Sequence, residues 1–290
     1  MREPSPARTI GLAALVVTAL LGSAYALGRG MVPDPPAAPT NVTGAAGPHY
    51  ADQPPADDAP RAPESAPGSA PAEAGQDGGT PGGTPSPAQP DGLFGAQTTS
   101  GTSRVALTFD DGPDPRYTPQ VLALLRQYQV RATFCVVGEN AQAHPDLIRA
   151  IAAEGHSLCN HSWSHDVALG RRSPDAIRAD LLRTSDAIRA AVPDASIAYY
   201  RQPGGAWTGQ VVSMAQELGM VPLHWTVDPS DWTTPGADRI AATVVAGVVA
   251  GSVVLLHDAG GDRQGTVDAL HRILPALAGF EVEALPDGSA

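Results

Sequence analysis

The chain has 290 residues, enough for one large domain or two ordinary ones, with 30 acidic against 18 basic side chains and a formal charge of −12. Every base is arginine, and from residue 101 onward 21 acids face 14 arginines, a net of −7. That balance excludes the basic patch a nucleic-acid partner requires and offers no attraction to an acidic polymer, so a neutral polymer fits better.

The first predicted element is "TIGLAALVVTALLGSAYALG", uncharged from Thr9 to Gly28 behind the two arginines of "MREPSPAR". Twenty helical residues span about 30 Å, enough to cross a bilayer. Ala24 and Ala26 also form an A-x-A pattern that a signal peptidase can cut. Residues 1–30 therefore read as a signal peptide or a membrane anchor through residues 9–28, and no cysteine follows to carry a lipid. Both readings put the rest of the chain outside the cytoplasm, secreted or at the cell surface. Residues 31–100 hold 15 prolines and 10 glycines among 70 positions and few large apolar side chains. Such a segment cannot bury enough surface to order itself, and it reads as a disordered spacer.

Residues 101–290 alternate strand-like and helical runs. "RVALTFD" precedes "TPQVLALLRQYQ", where Thr118 reads as the N-cap and Pro119 as the first helical residue. "ATFCVVG" leads to "HPDLIRAIAAEG", which Gly155 closes, and "HSLCNHS" to "SPDAIRADLLRTSDAIRAAV", again with a Ser-Pro start. "IAYYRQP" with "TGQVVSMAQELG", "MVPLHWTVD" with "ADRIAATVVAGVVAG", "SVVLLHD" with "GTVDALHRILPALAG", and a last "FEVEAL" complete the series. Seven strands and six helices in alternation predict a parallel sheet with helical crossovers. About 190 residues is short for an eight-stranded barrel, so a smaller or incomplete one is expected. Cys135 and Cys159 lie in runs that can be sheet neighbours, and outside the cell they are expected to form a disulfide.

The polar residues gather at predicted strand ends: Asp110 and Asp111, His161 and His165, Arg201, Asp228 and Asp231, and His257. In a parallel barrel those ends open on one face, where sites are built. Two imidazoles four residues apart plus a carboxylate suit zinc, with cobalt or another divalent ion as alternatives. One carboxylate of the Asp pair can bind the ion while the other takes a proton from water. Arg201 can hold that free carboxylate ionised, His257 can donate a proton to a leaving group, and Asp231 can orient the imidazole. Trp163, Trp207 and Trp232 fall in loops on the same face, where their rings can stack on sugars.

"TFDDG", "HSWSH", "RQPGG", "DPSDW" and "LLH", in this order, resemble the polysaccharide deacetylase family, the NodB-homology domain of carbohydrate esterase family four, over about residues 103–285. The resemblance implies a distorted (β/α)7 barrel that hydrolyses acetyl groups from polysaccharides with one zinc-like ion. It implies Asp110 as catalytic base, Asp111, His161 and His165 as the metal ligands, and Arg201 as the residue that positions the base. It further implies His257 as acid tuned by Asp231, and Trp232 and Leu255 around the acetyl methyl. Where the family usually has tyrosine, this chain has Gly204, whose backbone N–H would serve the oxyanion; Trp207 is the candidate to replace the lost aromatic wall. The expected protein is a monomeric, extracellular deacetylase of N-acetylglucosamine polymers such as peptidoglycan or chitin. The rivals are an acetylxylan esterase and a glycan-binding protein without catalysis.

Overall fold

A computed structural model of the chain describes residues 93–286. The expected signal or anchor segment at 1–30 and the spacer as far as residue 92 lie outside the described residues. Among those described, no helix is long and apolar enough to cross a membrane.

One parallel sheet carries the fold: β1 (Ala106–Asp110), β2 (Thr133–Val136), β3 (Ser157–Asn160), β4 (Tyr199–Tyr200), β5 (Val221–Pro222) and β6 (Val253–His257), in the order β5-β4-β3-β2-β1-β6. Every residue of β1, β2 and β6 is buried, because helices cover a parallel sheet on the faces that its crossovers span. Those helices are α1 (Thr118–Gln127), α2 (Gly138–Ala143), α3 (Pro145–Ala153), α4 (Pro174–Ala191), α5 (Gly209–Glu217), α6 (Ala237–Gly247) and α7 (Gln264–Ala276). Helix α2 is the one that the sequence pattern did not announce. Six residues are too few to display a period.

The class is the expected α/β barrel type, with six strands rather than seven. "FEVEAL" contributes only the parallel bridge Val105↔Val282. "MVPLHWTVD" does not run as one strand: β5 ends at Pro222, and after Leu223 N–H donates to Tyr200 O at 2.8 Å the chain leaves β4. The chain resumes pairing at Val227, which bridges Val254 of β6, and Leu255 N–H donates to Val227 O at 2.9 Å. Because β5 lies on β4 and its continuation lies on β6, the two sheet edges are drawn together into a curled half-barrel.

Cys135 and Cys159 are register partners in β2 and β3, and their sulfurs are bonded. Ser173 caps α4 by accepting the Ala176 N–H, and Gly155 takes a left-handed φ of 78° after α3, both as the sequence requires. Thr118 is different. It lies inside α1, and its hydroxyl accepts the Asp114 N–H and donates to Asp258 instead of capping.

The boundary at 100/101 needs correction. Residues 93–100, assigned to the spacer, are packed on the domain: Ala96 is fully buried, Gln97 N–H donates to Pro222 O at 2.8 Å, His224 N–H donates to Gln97 O at 2.7 Å, and Ser100 N–H donates to Gly251 O at 2.9 Å. Backbone pairing holds this segment, whose large apolar residues Leu93 and Phe94 are exposed and whose remaining side chains give no periodic signal. A chain beginning at residue 101 should therefore be less stable than one beginning at 93 by about 2 kcal/mol for the lost bonds, and unfold at a lower urea midpoint. Equal midpoints in a urea titration would contradict this account.

Candidate active site

The ends of β1 and β6 set the frame, because Asp110 and His257 are register partners on adjacent strands. Asp110 is buried, and its Oδ1 receives Arg201 Nη1–H at 2.7 Å. Arg201 follows β4 and is itself fully buried. Its other N–H groups reach Thr108 Oγ1 at 2.8 Å, His224 O at 3.1 Å and Leu223 O at 3.3 Å. The guanidinium is thus held in one plane by β1 and by the broken end of β5.

On the β6 side, Asp231 accepts twice from His257, from Nδ1–H at 2.7 Å and from the backbone N–H at 2.9 Å, and once from Thr266 Oγ1–H at 2.7 Å. Burial alone would lower the His257 pKa, but the Asp231 carboxylate overrides it and raises the value to about 9. The imidazolium is therefore the form that this pocket favours at neutral pH. Linkage follows in sign: with the folded pKa raised above the usual 6.5, the pair's stabilisation is complete below that value and is lost as pH rises through about 9.

Between these two pairs lie Asp111, His161 and His165. The Asp111 Oδ1 stands 3.4 Å from His161 Nε2 and 3.3 Å from His165 Nε2, and the three ligand atoms all fall within 4.8 Å of one another. His161 Nδ1 lies 2.8 Å from Arg201 O; with Nδ1–H donating there, the Nε2 lone pair is turned toward Asp111. Asp111 Oδ1 is buried without a hydrogen-bond donor. Burial would raise the Asp111 pKa, yet His165 and His161 hold it well below the usual carboxylate range, while burial pushes His165 down. A buried carboxylate facing imidazole lone pairs, at separations matching the edges of a tetrahedron with bonds of about 2.0–2.2 Å, fits a divalent ion. Asp111 and His165 reach this arrangement through left-handed backbone, φ 75° and 56°, a cost that the surrounding contacts must hold in place. Those contacts include α2, whose Gly138 and Glu139 N–H groups bond to the carbonyls of Ser162 and Trp163.

The pairs and the triad open on a cavity of about 120 Å³ lined by Asp110, His161, His165, Gly204, Leu255, Trp232 and His257. Trp225 and Asp228 line it too. Trp207 does not replace the missing aromatic wall, since it is buried against Tyr200 and donates its Nε1–H to His224 Nδ1 at 3.2 Å. Trp163 is likewise buried, with the Arg183 guanidinium 3.5 Å over its ring. The sequence reading missed Trp225 because "MVPLHWTVD" looked like a single strand. Pro222 inside the run was the signal against one regular strand.

A half-barrel with a metal-capable triad between a neutralised carboxylate and a carboxylate-backed imidazole defines a hydrolase-type α/β centre. Residues 97–223 match the polysaccharide deacetylase family model. The chain is 43% identical over 200 residues to a chitooligosaccharide deacetylase of Bradyrhizobium sp. (strain ANU 289), covering 64% of this chain and 91% of that protein. Among solved structures it is similar to the Bc1960 peptidoglycan N-acetylglucosamine deacetylase (38% identity, TM-score 0.61, 64% of this chain and 87% of that one). It is also similar to a family 4 carbohydrate esterase from Streptomyces lividans in complex with acetate (31% identity, TM-score 0.58, 63% and 91%). The chain belongs to the polysaccharide deacetylase family.

Because Asp231 is what raises the His257 pKa, Asp231→Asn should bring it from about 9 back toward or below 6.5. An imidazole proton NMR titration of the variant checks this, and an unmoved midpoint would show that another group sustains the charge.

Proposed function

We propose that the chain is a metal-dependent hydrolase that removes N-linked acetyl groups from N-acetylglucosamine units of a polysaccharide. The observation that carries this reading is the convergence of three ligand atoms, one arginine-held carboxylate and one carboxylate-backed imidazole on a single cavity. Asp111, His161 and His165 would hold a divalent ion, with zinc the first choice for a two-imidazole, one-carboxylate set. Such an ion polarises a carbonyl and acidifies water.

The residues of the chain do the rest. Asp110 takes the proton of the attacking water, and the Arg201 hydrogen bond to its Oδ1 keeps that carboxylate aimed beforehand. Oxygen bonds to the acetyl carbon, the carbon–nitrogen bond breaks with its electron pair on nitrogen, and His257 gives that nitrogen its proton. Trp232 and Leu255 enclose the acetyl methyl in the cavity wall, and Gly204 leaves its backbone within reach of the carbonyl oxygen. Acetate and an amine are the products.

The reading extends to the cell. Residues 1–30 act as signal or anchor and the spacer after them gives reach, so a monomeric enzyme works at the cell surface on a cell-wall polymer such as peptidoglycan. A second reading keeps the site and changes the bond to an O-acetyl ester, which the likeness to the Streptomyces lividans esterase favours.

Acetate release by the full-length chain from N-acetylglucosamine oligomers and from acetylated xylan, with and without a chelator, separates these. Chelator-sensitive release from the oligomers supports the amide reading, and release from xylan alone replaces it with the ester one. His257→Ala should lower turnover of the amide by about 10²–10⁴-fold and that of the ester by less, since an amine is the poorer leaving group. Equal losses on the two substrates would argue that His257 is not the acid.

A further inference from the structure

Each carboxylate at the mouth of the site has a cationic or imidazole partner except one. Asp110 has Arg201 at 2.7 Å, Asp231 has His257 at 2.7 Å, and Asp111 faces His161 and His165. Asp228 lines the same cavity as His257, yet it accepts only the Ser230 N–H, at 2.7 Å through Oδ1, and among the described residues no arginine or histidine stands within ion-pair distance. Its position is also fixed. Val227, just before it, is tied to β6, and Ser230, just after it, adopts a left-handed φ of 51°. A carboxylate held at the rim of a cavity, with one oxygen uncommitted, waits for a donor from the substrate.

We propose that Asp228 receives the newly formed amine, and so sets the preference of this enzyme for amide over ester bonds. The inference rests on the deacetylase reading above. When the carbon–nitrogen bond breaks, the nitrogen takes one proton from His257. A free amine with a pKa of about 8 takes a second from solvent at neutral pH and becomes an ammonium. That cation forms on the His257 side of the cavity, where Asp228 is the unpaired acceptor. Before cleavage the same oxygen accepts the amide N–H, so the contact strengthens as charge develops on nitrogen. An ester offers neither the N–H nor the ammonium. Asp228 is then a specificity-determining residue and not a second base, because Arg201 holds Asp110 on the opposite side for that role.

The test compares zinc-loaded full-length wild type with Asp228→Asn and Asp228→Glu on an N-acetylglucosamine pentamer and on 4-nitrophenyl acetate. It also measures inhibition by the glucosamine pentamer. The expected result for Asp228→Asn is a fall in kcat/KM about tenfold on the amide, at least fivefold larger than on the ester, with inhibition by the amine product weakened about tenfold; Asp228→Glu recovers part of both. Equal losses on amide and ester, or product inhibition unchanged, would overturn the inference while leaving the deacetylase reading intact. Wild type that releases acetate only from the ester would overturn both. Circular dichroism and metal content of the variants, matched to wild type, exclude misfolding as the cause of a loss.

Discussion

The site depends on a buried charge that has nowhere else to go. Arg201 is fully excluded from water, and an unpaired ion in that position would cost several kcal/mol. The fold answers with several acceptors around the guanidinium: a carboxylate and a hydroxyl on β1, and two carbonyls just past the end of β5. Leu223 and His224 donate their own N–H groups elsewhere, to Tyr200 O at 2.8 Å and Gln97 O at 2.7 Å, and turn their carbonyls to the guanidinium. The placement of Asp110 thus follows from satisfying the arginine, and removing either partner would leave the other charged and buried.

Charge density explains much of the surrounding architecture. Asp258, next to His257 in sequence, is buried beside Gly112 and receives the Thr118 hydroxyl, but no cation offsets it. Burial raises its pKa to about 7, so below that value it holds a proton instead of adding a further negative charge beside Asp110 and Asp111. A carboxyl whose folded pKa is raised adds stability that is complete below the usual 3.8 and lost as pH rises through about 7. Gly112 is required at this contact, because a Cβ there would lie 2.4 Å from an Asp258 oxygen. The glycine of "TFDDG" therefore serves close packing as well as the turn.

Much of this was legible in the sequence where local chemistry decides structure. The Ser-Pro start of α4, Gly155 after α3, the polar residues at strand ends and the two cysteines in facing runs all act through contacts that short motifs encode. Less was legible where tertiary pairing overrides local pattern. Residues 93–100 are held by backbone bonds to distant strands, so their composition looked like more of the spacer. The Thr118 hydroxyl goes to Asp258, a partner 140 residues away, rather than to its own helix. Trp207 and Trp225 are the same residue type a short distance apart, yet Trp207 is buried with its Nε1–H on His224 while Trp225 lines the cavity, a difference that tertiary contacts decide.

Closing the sheet and completing the acid are one structural event. Asp110 and His257 stand side by side because β1 and β6 pair in register, but His257 gains most of its proton affinity from Asp231, with Asp111 and Asp110 adding to it. Asp231 is carried on the segment that runs from β4's neighbour across to β6, just past the bridge between Val227 and Val254. Thr226 and Val227 N–H donate to Val253 O and Leu255 N–H donates to Val227 O, while Thr266 and the His257 backbone N–H hold Asp231 itself, so the carboxylate is fixed only where the passage meets β6. The acid half of the centre is therefore the half that reports on closure. A fold that closes its sheet on β6 in this way ties the charge of His257 to the passage that carries Asp231.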